Sequence, residues 1–513
     1  MAAGAPELSP PALVFIGFMG AGKSTAARRA AAALGVEAVD CDRMLEAQLG
    51  GSIEAFFDRE GEAAFREREA ELTARTLAEA DGGVIALGGG ALGSERVRDA
   101  LARHTAVLMD VPVETAWERA HDRGRPLARD RAAFEGRYAE RQAVYTGAAR
   151  AVLPRADALP AALGALQALA DAPAGTRLLW ATTAGGDYPV WVGRGLLGRL
   201  PWPVEGRRFC VSDEHVAEHY AGHIDDLAGL VEIPPGEGAK TLATAERVWR
   251  ALAAMGVTRA DHVVALGGGV VGDLAGFCAA GYQRGIRVVQ VPTTVVAQVD
   301  SAYGGKTGVD LPEGKNYAGA YHQPAAVLAD PAALRTLPQE ELSAGWAEVL
   351  KTALIAGGEL WRRVREGVEV DRDLVVACAR TKLAVVAEDE RDGGRRQVLN
   401  LGHTIGHAIE TATGYRRYRH GEAVGLGLLA ALTLSDRPAL RAEVEGLLGD
   451  RRLPTRLDGD VDLEQVEHAV QRDKKRRGGR VGFVLVGGPG DVRVGQSVEA
   501  DAVRAALQEL AAP

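Results

Sequence analysis

Short apolar runs, each followed by a stretch of helical pattern, set the rhythm of the first third of the chain. The run Leu13–Ile16 reads as a strand; it feeds a glycine-rich turn and then an Ala/Arg-rich stretch, 24–34, that reads as a helix. Similar strands are expected at 83–87 and 105–110, and the alternation predicts a parallel α/β sheet with flanking helices. From about 159 to 175 charge nearly disappears. The first part of that stretch reads as a terminal helix closing a domain at 1–170, and 171–176 reads as a linker. A second α/β region is expected over 177–333, with strands at 209–212, 263–266 and 288–291. Beyond it the pattern changes to long amphipathic or Ala/Leu/Val-rich segments, such as 371–388, 404–411 and 421–434, so that 334–513 is expected to be mainly helical. No internal repeat is found: the glycine triplets at 88–90 and 267–269 sit in dissimilar surroundings.

Composition narrows the picture. A chain of 513 residues exceeds the roughly 250–300 that one hydrophobic core fills, which requires more than one domain. Charged residues at 25% and hydrophobic residues at 47% are those of a folded protein. A net charge of -9 argues against a general binder of nucleic acid, so phosphates would be held by local clusters. Cys41, Cys210, Cys278 and Cys378 are scattered without a C-x-x-C pair and read as buried thiols in a reducing compartment. The N-terminus lacks the basic segment of a signal peptide, and the apolar run 423–434 is too short to cross a bilayer, which makes the cytoplasm the expected location.

The sequence GFMGAGKS at 17–24 matches G-x-x-x-x-G-K-[ST] between an expected strand and an expected helix. Backbone N–H groups of such a loop, here Gly20, Ala21, Gly22 and on into Ser24 and Thr25, cradle phosphates at a helix N-terminus. Lys23 reaches the β/γ-phosphates and the Ser24 hydroxyl holds Mg²⁺. Further along come VDCD at 39–42, GEAAFR at 61–66, the Gly88–Gly90 triplet, RPL at 125–127, and Arg141 with Tyr145. In order and spacing these resemble the shikimate kinase family over roughly residues 12–155. The resemblance implies ATP with Mg²⁺ as cofactor and shikimate as substrate. Asp42 would bind a substrate hydroxyl and be a candidate base, Arg66 and Arg141 would hold the carboxylate, and Gly88, Gly89 and Gly90 would let the ring approach the backbone. Arg125, in a lid, would neutralise phosphate charge during transfer. Arg129 and Arg131 read as water-facing members of a charge run.

Two histidine segments mark the second half, NLGHTIGH at 400–407 and HGE at 420–422, together with Glu348 in GWAEVLK. They offer nitrogen and oxygen ligands for a catalytic divalent metal. Spacing alone selects His403 and His407, which i, i+4 places on one helix face. With PGEGAK at 235–240, GGGVVGD at 267–273, PTT at 292–294, GGKTG at 304–308 and GKN at 314–316, the region 177–513 resembles the 3-dehydroquinate synthase family. That resemblance makes Glu348, His403 and His420 the ligands of Zn²⁺ or Co²⁺ and turns His407 to the substrate. It implies NAD⁺ contacts from Asp213, Glu237, Lys240, Gly268, Gly269 and Asp273, and from Thr293, Thr294, Asp300, Lys306 and Lys315. His215 stands where relatives often carry Asn.

The same resemblance assigns Lys306, Lys351, Lys382, Arg396, Asn400 and His407 to catalysis. Asn316 and Lys474 would bind substrate, and Arg284 would bind its phosphate from a neighbouring subunit, which implies a homodimer. The substrate implied is 3-deoxy-arabino-heptulosonate 7-phosphate, whose carboxylate and phosphate both demand cations. NAD⁺ would take and return a hydride around phosphate elimination. Two other readings compete: a cyclase making a valiolone- or inosose-type product, and a degenerate binding module in one half. Arg476 and Arg477 read as a solvated basic patch.

Overall fold

The computed structural model describes residues 10–121, 126–476 and 482–512. It divides into two compact units, one built from the chain through Thr182 with Asp187–Trp191, the other from Thr183–Gly186 and from Val192 onward.

The first unit runs β1 (Leu13–Ile16), α1 (Lys23–Leu34), β2 (Ala38–Asp40), α2 (Cys41–Leu49), α3 (Ile53–Glu79), β3 (Val84–Ala86), α4 (Glu95–Leu101) and β4 (Thr105–Met109). It continues with α5 (Val113–His121), α6 (Arg131–Ala148), β5 (Ala151–Leu153), α7 (Leu159–Ala168), β6 (Arg177–Ala181) and β7 (Tyr188–Val192). Its sheet order is β2-β3-β1-β4-β5-β6-β7. The pairs from β2 to β6 are parallel, with Leu13 opposite both Val84 and Thr105. Parallel strands carry helices on both faces, which is why β1 and β4 are buried throughout and apolar at every position but Thr105. Residues 171–176 form the turn from α7 into β6, where Thr176 is tied back to Pro173.

The second unit contains β8 (Arg208–Asp213), α8 (Glu214–Tyr220), β9 (Leu227–Ile233), α9 (Leu242–Ala254), β10 (His262–Gly267), α10 (Gly269–Gly281) and β11 (Arg287–Pro292). Then come the hairpin β12 (Lys306–Leu311) and β13 (Gly314–Tyr321), and β14 (Ala326–Ala329). Its parallel sheet runs β14-β11-β10-β8-β9. Val263, Ala265 and Val288 pack against Val248, Leu252 and Leu274 of α9 and α10, the Rossmann-like layering expected from the β/α alternation.

The remainder is helical, as expected: α11 (Gln339–Ala356), α12 (Gly358–Arg365), α13 (Arg372–Glu388), α14 (His403–Ala412), α15 (His420–Leu434), α16 (Pro438–Asp450) and α17 (Leu463–Arg476). One hairpin, β15 (Phe483–Gly488) with β16 (Asp491–Gln496), precedes α18 (Ala500–Ala511). The apolar run at 423–434 lies in α15, which is buried nearly all round as a core helix. Among the described residues no helix is long and apolar enough to cross a membrane.

Close helix approach in this bundle depends on missing side chains. A Cβ on Gly421 would lie 1.8 Å from the Ala344 carbonyl oxygen, and one on Gly427 would lie 1.9 Å from that of Gly402. Glycine therefore lets α11, α14 and α15 touch backbone to backbone. That contact draws residues far apart in sequence into one cluster.

Candidate active sites

In the first unit the phosphate loop leaves β1 and enters α1 with Gly20 and Gly22 at φ 81° and 91°, a left-handed region open to glycine. A Cβ on Gly20 would lie 2.3 Å from the Ala116 carbonyl oxygen, so that position also requires close approach. Ala21, Ser24 and Thr25 lie in the turn and the first turn of α1, and the Lys23 ammonium donates to the Phe18 carbonyl at 3.0 Å across the loop. This leaves N–H groups of a helix start around one concavity, an arrangement suited to phosphate.

Beside the loop lies a cavity of about 430 Å³ lined by Arg66, Glu69, Gly89, Gly90, Arg141 and Tyr145. Gly89 carbonyl oxygen accepts from Arg141 Nη1 at 3.0 Å and from the Tyr145 hydroxyl at 2.5 Å. The triplet has no room for side chains. A Cβ on Gly88 would fall 2.8 Å from Asp42 Oδ1 and 2.2 Å from Glu69 Oε1, and one on Gly90 would fall 1.8 Å from Arg66 Nη1. The structure thus sets Arg66, Gly89, Gly90 and Arg141 around one cavity, with Asp42 beside Gly88 and the Lys23 ammonium beside Gly89. It separates the two aspartates: Asp40 caps α2 by accepting from the Asp42 and Arg43 N–H groups.

Glu69 is absent from the sequence reading. It is buried and accepts from Arg66 Nη1 at 2.6 Å, one helical turn away on α3. Burial raises its pKa and Arg66 opposes the rise. The i, i+3 spacing was visible in FREREAE, but a helix rich in Arg and Glu offers many such pairs, and only burial distinguishes this one. Arg129 and Arg131 are exposed and paired with Glu54 and Glu135. Arg125 lies outside the described residues.

The second unit brings together a larger polar cluster. At the cofactor-like end, Gly268 and Gly269 open α10, and a Cβ on Gly268 would fall 2.8 Å from Thr294 Cγ2. Thr293 N–H donates to the Gly267 carbonyl. Lys240 lies 3.0 Å from Glu237, 3.2 Å from Asp273 and 3.8 Å from Asp310. Burial lowers the Lys240 pKa, but the three carboxylates outweigh it and push it up to about 12. Burial raises Asp273 to about 6 against the pull of Lys240. Asp213 caps α8 by accepting from Val216 N–H, and His215 is exposed on that helix.

Asp300 sits in a wide helical turn, Ala297–Ser301, between two buried lysines. Lys351 reaches it at 3.0 Å; Lys382 is ion-paired with it and donates to its backbone carbonyl at 2.6 Å. Burial raises the Asp300 pKa, and the two ammonium groups overcome that and hold it low. Lys351 also lies 2.5 Å from Glu348 Oε2. Glu348 is fully buried, and its Oε1 is 3.4 Å from His403 Nε2 and 3.3 Å from His420 Nε2. Neither oxygen completes a well-angled hydrogen bond. A buried carboxylate left short of donors, facing two imidazole nitrogens, fits a divalent cation of the zinc or cobalt type.

The i, i+4 partner His407 is exposed, with its ring 5.1 Å from that of His403, and it is His420 that joins His403 at Glu348. Arg396, almost fully buried, donates to the Gly304 carbonyl at 3.0 Å and to that of Glu390. Lys306 pairs with Asp392 at 2.7 Å. Asn400 closes the turn Arg395–Asn400 ahead of α14, and Asn316, at φ 56°, donates its N–H to Asp310. Lys315 pairs with Glu410 and lies 3.6 Å from Glu237. Arg284 is exposed in a left-handed turn and belongs to none of these ion pairs. The Lys474 side chain and Arg477 lie outside the described residues.

Sequence reasoning missed Asp392, Asp310 and Glu410. Each is the counter-charge of a named cation, and nothing local in the sequence distinguishes such a carboxylate from a surface one. The four cysteines are buried and free. Burial pushes each thiol up to about 12.

Residues 230–344 and 345–476 match the N-terminal and C-terminal families of 3-dehydroquinate synthase, and 19–169 match shikimate kinase. The 3-dehydroquinate synthase of Gloeobacter violaceus is 44% identical over 324 residues, covering 59% of this chain and 90% of its own. That of Symbiobacterium thermophilum is 42% identical over 350 residues, covering 63% and 98%. Among solved structures, the 2-epi-5-epi-valiolone synthase of Streptomyces hygroscopicus with NAD⁺ and Zn²⁺ bound is 28% identical, with a TM-score of 0.58 over 64% of this chain and 98% of that one.

Proposed function

The chain belongs to the 3-dehydroquinate synthase family and carries a shikimate kinase segment ahead of that part, and from this premise we infer that its two sites run two separate reactions of aromatic biosynthesis. One is the ATP- and Mg²⁺-dependent phosphorylation of shikimate to shikimate 3-phosphate. The other is the NAD- and metal-dependent cyclisation of 3-deoxy-arabino-heptulosonate 7-phosphate to 3-dehydroquinate and phosphate. The synthase relatives at 42–44% identity make dehydroquinate, whereas the valiolone synthase stands at 28%, which favours this product over another cyclitol. With Lys23, Asp42, Glu348 and His403 all present, neither half reads as a degenerate module.

The kinase chemistry rests on charge and position, since phosphoryl transfer leaves the protein little covalent work. Lys23 and the loop N–H groups hold the phosphates, Arg66 and Arg141 hold the substrate carboxylate, and Asp42 orients the attacking hydroxyl. Glu69 keeps the Arg66 guanidinium turned into the cavity. In the synthase, bound NAD⁺ would supply a transient hydride acceptor and a divalent metal would supply a Lewis acid for substrate oxygens. Glu348, His403 and His420 would hold the metal. Asp273 would accept from a ribose hydroxyl, and Asp300 fixes Lys351 and Lys382 as buried cations. Lys306, Arg396 and Asn400 bind the anionic ends of the substrate. Arg284 would reach the phosphate of a second copy, making the working form a homodimer. The two catalytic bodies would span 1–170 and 177–513, in the cytoplasm.

The observation that carries the cyclase reading is the convergence of His403 and His420 on buried Glu348. The test is phosphate release from 3-deoxy-arabino-heptulosonate 7-phosphate by the full chain with NAD⁺, with and without chelator. Chelator-sensitive formation of 3-dehydroquinate is expected; metal-loaded protein that leaves the substrate untouched refutes the reading.

A pH dependence follows from Asp273. Its carboxylate form accepts much more strongly from a hydroxyl than the neutral acid does, and with a pKa of about 6 the group loses that charge below this pH in the free protein. NAD⁺ affinity should therefore fall as pH drops through about 6, by up to about tenfold per pH unit. Calorimetric titration with NAD⁺ between pH 7.5 and 5 reads this, and a flat profile removes Asp273 from the cofactor contact.

A further inference from the structure

Glu410 has no part in the chemistry above, yet it is a buried carboxylate on α14, seven residues beyond His403 and so on the same helix face. Its oxygens lie 3.4 and 3.5 Å from His420 Nδ1, and Lys315 Nζ is 3.0 Å from Oε1. On its other side His420 turns Nε2 to Glu348 at 3.3 Å. A neutral imidazole has one N–H and one lone pair, so the two carboxylates compete to decide which nitrogen keeps the proton.

The other imidazole resolves the competition. His403 Nδ1 faces the Leu401 carbonyl at 3.2 Å, which can only accept, so Nδ1 carries the hydrogen and Nε2 presents its lone pair at Glu348. His420 Nε2 converges on the same Glu348 oxygen and must present a lone pair there to share a cation, which leaves its Nδ1–H for Glu410. His407, Glu410 and His420 form a second possible ligand group around the far nitrogen. The Lys315 ammonium, held over the Tyr415 ring at 4.6 Å, already supplies the positive charge on that side.

We propose that Glu410, braced by Lys315, is a positioning residue that fixes the Nδ1–H tautomer of His420, so that Nε2 is the metal donor and the histidine cluster takes one divalent cation, at Glu348. This rests on the metal reading of the synthase site.

The test uses metal-free full-length chain titrated with Co²⁺ against a competing chelator. One Co²⁺ per synthase site is expected, with Glu410→Gln weakening its binding by about 10- to 100-fold and shifting its visible absorption bands. Glu410→Asp, which keeps the charge, should recover part of the loss. Wild-type affinity and spectrum in Glu410→Gln would overturn the proposal, and two ions per site would overturn its single-cation part. If Glu410→Gln does not fold, wild-type chain labelled with ¹⁵N-histidine and loaded with ¹¹³Cd²⁺ gives the answer: coupling through His420 Nε2 supports the assignment and coupling through Nδ1 refutes it. A wild-type chain that binds no Co²⁺ refutes the metal reading itself, an outcome distinct from failure of the Glu410 role.

Discussion

Glu348→Ala is expected to abolish dehydroquinate formation while shikimate phosphorylation by the same polypeptide continues at its ordinary rate. The carboxylate is fully buried and faces Lys351, His403 and His420, so its removal deletes the proposed metal donor and leaves three basic groups converging on an empty space. A bound metal supplies several kcal/mol of charge stabilisation in the transition state, which corresponds to a loss on the order of 10³-fold or more. Lys351 keeps Asp300 at 3.0 Å as a counter-charge, so the loss of stability should stay below the roughly 3–5 kcal/mol of a fully broken buried ion pair. The two effects separate experimentally. Glu348→Gln keeps the volume and a neutral oxygen, and should fold better than the alanine variant while still losing most cyclase activity. Cyclisation at a tenth of the wild-type rate or faster in both variants would remove Glu348 from the catalytic set. Activity of the kinase in the same samples reports that the chain is intact.

Lys23→Met should have the converse effect, with loss of phosphoryl transfer to shikimate and an unchanged cyclase. The ammonium is nearly buried at the start of α1 and is aimed across the loop by its bond to the Phe18 carbonyl, within 3.7 Å of where a Gly89 side chain would begin. It therefore stands between the phosphate cradle and the cavity lined by Arg66 and Arg141. Removing one donor aimed at developing charge in a preorganised site costs on the order of 10²–10³-fold in turnover. Methionine keeps the aliphatic stem, so the fold should survive. Coupled-assay rates for ATP and shikimate, read beside phosphate release by the synthase, measure this; a kinase rate within threefold of wild type would take Lys23 out of the reaction.

Much of this protein is written locally. The phosphate loop needs glycines at positive φ, a lysine and a hydroxyl in one short stretch, and the strand before it and helix after it are visible as an apolar run and an Ala-rich segment. The central parallel strands β1, β3, β4, β8, β10 and β11 are legible for the same reason, since burial on two faces demands apolar runs, whereas the short or peripheral strands β2, β5, β6, β9 and β14 carry too little pattern to be read. The change of pattern at 177 suggests the start of the second region, yet pairing with β5 through Leu178 sets 177–181 in the first compact unit. Strand pairing across distant segments has no signature in the strand itself.

The sites divide along the same line. Local spacing pointed to His403 and His407 as a pair, and helical geometry does put them side by side, yet His420 from another helix completes the group at Glu348. What decides this is the backbone contact of α11, α14 and α15 at Gly421 and Gly427, a property of packing that no helix period encodes. Glu69, Asp392 and Glu410 are ordinary acids in the sequence and acquire meaning only where burial removes water and leaves each facing a cation. Sequence alone determined the chemistry available, because residue types and turn geometry are local. Tertiary structure decided which charges meet, because only packing fixes distance and excludes the solvent that would otherwise screen them.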